Sequence, residues 1–167
     1  MRWQFRMSWA LADEYHLSRL SDAMCLWIPS EAAFTVRRQS DGTWCGDTTE
    51  PADGQPWQNS AAWLTWHLQA WLTRALAEAR QVPVPALGEV RWPGTVDAVR
   101  AELNRLVSEW NEFLVEAASA DLDQPTLFPW PDPRPLHRLI AWVNMEMMKN
   151  AAELGVVVNS AIIATEP

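Results

Sequence analysis

Basic residues are few in this chain. Thirteen lysines and arginines stand against 21 acidic residues, leaving a net charge of −8 and a sequence pI near 4.8. Arg37-Arg38 is the only basic doublet. Nucleic-acid binding needs a basic footprint, so that class of partner is excluded. Apolar runs long enough to cross a bilayer are missing as well, which argues against a membrane protein. The first residues, MRWQFRMSWALADEY, reach Asp13 and Glu14 too soon for the apolar region of a signal peptide and lack its cleavage pattern, so a cytoplasmic protein is expected. Cysteine is scarce. Cys25 and Cys45 form no metal-binding spacing, have no basic neighbour to activate them, and read as two free thiols. There is no glycine-rich phosphate loop and no Gly-x-Ser-x-Gly elbow, which argues against a nucleotide enzyme and a Ser-His-Asp hydrolase. No internal repeat and no low-complexity segment appears.

What is abundant is apolar and aromatic. Hydrophobic residues make up 49% of the 167 residues, enough for one domain, residues 1–167, with a real core. Twelve are tryptophan, a side chain that buries a large area and asks for one hydrogen-bond acceptor. Most should be structural, and a few suit the walls of a pocket.

Helical periodicity dominates the chain. Trp3 to Ile28 reads as a first helix with Trp9, Leu17, Leu20, Met24 and Trp27 on its buried face, ended by Pro29-Ser30. Phe34-Thr35-Val36 and Thr43-Trp44-Cys45 are short β-prone runs around Asp41-Gly42, a hairpin turn. DTTEPADGQPWQ continues as an irregular loop. Asn59 or Ser60 can cap a second helix, Ala61 to Arg80, whose apolar side includes Leu64, His67, Leu68 and Trp71. A third helix begins near Thr95, with Asp97 in its first turn and Val99, Leu103, Leu106, Trp110 and Phe113 at spacings of three and four. Asp121 to Pro135 holds five prolines and reads as a loop, pinned by Phe128 and Trp130. The fourth helix is Leu136 to Gly155, with an apolar continuation through VVVNSAIIA. The expected fold is all-α: a four-helix bundle with a small β-hairpin and a long loop between its first two helices.

The fourth helix carries a conflict. Leu139, Val143, Met147 and Leu154 form an apolar stripe, yet Glu146, Asn150 and Glu153 fall at nearly the same angle. Polar groups inside a buried stripe cost free energy unless they are paired. Bundles build sites from side chains facing each other across the core, which makes His67 on the second helix, with Glu146 and Asn150 on the fourth, the candidate set. Imidazole and carboxylate suit a divalent ion such as zinc or nickel, whereas an amide oxygen is a poorer zinc ligand. Against this stands the plainer reading, in which His67 is a packed core histidine and Glu146 is solvated or pairs with Arg138 or Lys149. Tyr15 and His16 read as ordinary helix residues rather than pocket residues.

Three segments resemble the DinB-like family of four-helix-bundle proteins, in particular an actinobacterial branch related to mini-circle proteins. LWIPSEAAFTVRRQSDGTW is similar to that branch's Trp-x-Pro, aromatic-Thr-Val-Arg and Asp-Gly-x-Trp block. AAWLTWHLQAW is similar to its histidine-bearing second helix, with His67 at the histidine, and WVNMEMMKNAAELG to the fourth-helix segment. The resemblance implies a divalent metal held by one histidine of the second helix and two residues, four apart, of the fourth. In many members both of those are histidines. In the mycothiol-dependent maleylpyruvate isomerases, similar in fold, they are a glutamate and a histidine. Carried onto this chain the metal set is His67, Glu146 and Asn150, with Asn150 where a histidine is expected and Glu153 at a supporting Gln or Glu position. The resemblance further implies a transferase or isomerase using a low-molecular-weight thiol such as mycothiol or bacillithiol, the metal stabilising the thiolate that attacks an electrophile, and a homodimer packed through helices. Asn150 supports a second expectation, a degenerate member that binds a small ligand or a partner without metal, with Glu146 and Asn150 hydrogen-bonded to His67. A third is a structural protein that associates through tryptophan-rich faces.

Overall fold

Two of the long helices start where a hydroxyl is available to cap them. In the computed structural model, which describes residues 1–49, 57–117 and 122–165, Ser60 Oγ accepts the Trp63 backbone N–H at 3.1 Å and opens α3, Ala61–Ala79. Thr95 Oγ1 accepts the Ala98 N–H at 3.3 Å and opens α4, Val96–Glu116. Asp22 Oδ1 takes the Val96 N–H at 2.7 Å, a second acceptor for that helix end.

The first helix is shorter than the periodicity predicts, and the expectation of one helix from Trp3 to Ile28 is corrected. α1 spans Arg2–Tyr15, a 3₁₀ turn follows at Leu17–Arg19, and a separate single-turn helix, α2, runs over Asp22–Cys25. Serines cause the break. Ser18 Oγ donates back to the Glu14 carbonyl at 2.6 Å, and Ser21 Oγ accepts the Met24 N–H at 3.2 Å, capping a new helix rather than continuing the old one.

α5 runs unbroken over Leu136–Thr165, so the helix continues through Gly155. A glycine there lets α5 approach His16, because a Cβ at that position would lie 2.6 Å from the imidazole Cε1. His16 thus packs on α5, while Tyr15 is exposed.

The four long helices contact one another in a cycle: α1 against α5 and α4, and α3 against α4 and α5. Phe5, Trp9, Leu64, Leu68, Leu103, Trp110, Leu139 and Met147 are buried among them. Tryptophan is mostly structural, as expected: Trp66, Trp92 and Trp110 are fully buried. Two of these fasten the connection after α3 to that helix. Trp66 Nε1 donates to the Val90 carbonyl at 2.8 Å and Trp92 Nε1 to Thr65 Oγ1 at 3.0 Å.

The hairpin forms as the Asp-Gly dipeptide predicts. β1, Val36–Arg38, pairs antiparallel with β2, Trp44–Gly46, in the register Val36↔Gly46. Gly42 takes φ +85°, and Asp41 Oδ1 accepts the Thr43 N–H at 2.9 Å. Phe34 then bridges to Asn59, tying the hairpin to the start of α3. Of the long loop expected to follow, residues 50–56 lie outside the described residues. The proline-rich connection before α5 holds one more antiparallel pair, β3 at Pro125–Thr126 and β4 at Arg134–Pro135; Asp121, where it was expected to begin, lies outside the described residues. Phe128 and Trp130 pack on Trp142 of α5 at centroid distances of 5.5 and 6.4 Å, the pinning expected of them. Both cysteines are free, and burial, with Asp22 nearby, pushes the Cys25 thiol up to about 12. Among the described residues no helix is long and apolar enough to cross a membrane.

Candidate functional site

α3 and α5 lie side by side in antiparallel register, and two contacts define that register. Near the N-terminus of α3, Asn59 Nδ2 donates to Glu153 Oε1 at 2.5 Å. Three turns further along, Trp71 meets the edge of Trp142 at 5.6 Å and 72°. His67 and Glu146 fall between these two contacts.

His67 rests on an aromatic surface. Its ring stacks on Trp63 at 4.6 Å and 12°, a pair one helical turn apart. Burial first, and Lys149 with it, hold the imidazole down to about 4, with Glu146 opposing both. The ring is therefore neutral near pH 7.

Glu146 is not solvated. It is 8% exposed, and its carboxylate has a partner of opposite charge, with Lys149 Nζ 2.7 Å from Oε2. A buried carboxylate needs such compensation. Asn150, 1% exposed, adds to it: Nδ2 donates to the Glu146 backbone carbonyl at 2.8 Å and to Oε2 at 3.2 Å. The amide donors of Asn150 are thus spent within α5. Asn150 bonds to Glu146, and Glu146 pairs with Lys149; neither bonds to His67, contrary to the metal-free expectation.

This donor set does not fit a zinc or nickel centre. It offers one imidazole, one carboxylate already offset by an ammonium, and one amide turned towards that carboxylate. Among the described residues no group of three or more His, Cys, Asp or Glu side chains is placed to hold a metal ion. A structural or catalytic zinc site usually draws three or four ligands from those types. Glu153, expected in a supporting role, is bonded to Asn59 and lines a cleft.

Two participants were missed in the sequence. Trp63 was detectable from its spacing to His67. Asn59 was read only as a helix cap, and its bond to Glu153 spans 94 positions in the sequence. A larger cleft of about 630 Å³ lies beside the hairpin, but its cations are engaged within its own walls: Arg37 with Asp47, and Arg91 with the Gly88 carbonyl.

Comparison with known proteins adds the family. A family model for the DinB superfamily matches residues 4–154, a span that includes His67, Glu146, Asn150 and Glu153. No curated protein and no solved structure matches the chain. A match over most of the length, on a mostly helical chain, identifies the chain as a member of the DinB superfamily.

Proposed function

We propose that this chain is a DinB-type four-helix bundle that binds a small molecule between α3 and α5, with an ion pair where metal-dependent relatives hold a cation. The observation that carries this reading is the Lys149–Glu146 pair at 2.7 Å, backed by Asn150. Lys149 supplies positive charge next to a buried carboxylate without coordinating it. An ammonium can attract an anionic or thiolate ligand, but it offers no open coordination position.

A second reading keeps the chemistry with which the superfamily is associated, a metal-dependent enzyme, here a transferase or isomerase acting with mycothiol or bacillithiol. One observation favours it. His67 is neutral, the state in which imidazole binds a metal. It requires Lys149 to leave Glu146, which its half-exposed side chain permits.

The Asn150→His variant separates the two. It restores a nitrogen donor four residues after Glu146. In the first reading this variant gains stoichiometric zinc or nickel that the parent lacks, measured by inductively coupled plasma mass spectrometry. Equal stoichiometric metal in parent and variant supports the second.

We also propose that the chain is a homodimer, joined through the exposed stripe Trp3, Met7, Leu11 and Tyr15 of α1, spaced one turn apart. Trp3 is 75% exposed, unusual for so large an apolar side chain. Light scattering should give twice the 19.0 kDa chain mass, and a mass that stays at one chain up to high concentration would refute it.

A further inference from the structure

One cleft combines features that the proposed function leaves unused. It lies where the start of α3 meets the second half of α5 and encloses about 280 Å³. It is lined by Trp27 and Trp57, by Val156 and Val157, and by the polar residues Gln58, Asn59, Glu153 and Ser160. Trp27 follows α2 and Trp57 precedes α3, so the chain brings two distant tryptophans to one place. Trp57 is 55% exposed and stands edge-on to Phe34 at 6.3 Å.

The charge in this cleft is one-sided. Glu153 accepts from Asn59 Nδ2, and no Lys, Arg or His among the described residues pairs with it. The nearest cation along the helix, Lys149, is committed to Glu146, and Arg19 donates to Asn159. The Glu153 bond also fixes the Asn59 amide. Its nitrogen faces the carboxylate, and its Oδ1 is buried without a partner, on a residue only 8% exposed. The cleft thus offers one carboxylate with no cation paired to it and two indoles among its lining residues, with no Lys, Arg or His among them.

This combination selects by charge. An anion would meet Glu153 and the negative faces of the indoles. A neutral apolar ligand would desolvate the carboxylate without compensating it. A compact organic cation satisfies the carboxylate and is attracted by the aromatic quadrupoles as well. We propose that this cleft is a binding site for a small organic ammonium, its head group between Trp27 and Trp57 and its charge offset by Glu153. The proposal rests on the reading in which Lys149 stays on Glu146, and the metal content of the parent protein tests that reading separately.

The test uses two ligands of one shape. Choline carries a quaternary ammonium, and 3,3-dimethylbutan-1-ol replaces its nitrogen by carbon. Titration calorimetry on the full chain should show choline binding at least about tenfold more tightly than the neutral isostere. Glu153→Gln should abolish that preference, and Trp57→Ala should weaken choline binding while Trp57→Phe retains it. Thermal melts accompany each variant. Should Glu153→Gln unfold, the Trp57 pair, at an exposed side chain, carries the same test. Equal affinity for the two ligands, or no heat from choline at millimolar concentration, overturns the proposal, as does a choline affinity indifferent to both Glu153 and Trp57.

Discussion

Gly46→Ala is expected to destabilise the fold by about 3 kcal/mol or more, at the upper end of what overpacking costs. Gly46 closes β2 and is buried. A Cβ there would lie 2.0 Å from Trp66 Cε3 and 2.3 Å from Cδ2, distances that no packing tolerates. Trp66 has nowhere to retreat: it is 1% exposed, and its indole N–H is bonded to the Val90 carbonyl. The strand must therefore lift from α3. It would take Asp47 with it, whose side chain accepts the Thr35 N–H at 3.1 Å and whose carbonyl accepts Trp63 Nε1 at 2.9 Å. Trp63 is the surface on which His67 stacks, so the damage extends from packing to the site. Urea denaturation should show the lowered midpoint, and the penalty should shrink when Trp66 is first replaced by leucine, because the two residues are coupled through one space. A Gly46→Ala protein as stable as the parent would mean that β2 does not sit on Trp66.

The second large effect depends on pH. The folded state holds the His67 imidazole down to about 4, against an ordinary 6.5. Well above pH 6.5 the ring is neutral in both folded and unfolded chains and contributes no pH dependence. As the pH falls from 6.5 towards 4, the unfolded chain takes up a proton that the folded chain refuses, so stability drops. Below 4 the loss levels off. The full loss is about 3 kcal/mol if the whole shift is expressed. Carboxylates titrate in part of this window, so the measurement is a comparison. Denaturation curves of the parent and His67→Gln, both in chelator, should diverge between pH 6.5 and 4, with the parent losing more. Glu146 and Lys149 are unchanged in both proteins. Parallel curves would show that the imidazole is not held neutral by its surroundings.

Local signals in this chain were readable from sequence wherever a few adjacent residues set the structure. Ser60 and Thr95 announce their helices, Asp41-Gly42 its turn, and the apolar run after Gly155 the length of α5. The break after Tyr15 was concealed because Leu17, Leu20 and Met24 keep helical spacing through it, and only the capping chemistry of Ser21 distinguishes two helices from one. At the site, periodicity placed His67, Glu146 and Asn150 on the facing stretches of two helices. The state of those groups was not legible. Whether Glu146 is solvated or buried depends on what packs over it, and whether Lys149 swings towards it or into water is not set by their spacing. The Asn59–Glu153 bond is less legible still. It depends on the register of α3 against α5, which is fixed by packing throughout the bundle, not by either segment alone.

The most direct measurement is the metal content of the parent protein purified without chelator. With Lys149 on Glu146 and an amide at Asn150, the expected zinc and nickel content is far below one ion per chain, and His67→Ala leaves it unchanged. One ion per chain that disappears with His67→Ala would contradict the reading and restore a metal centre between α3 and α5.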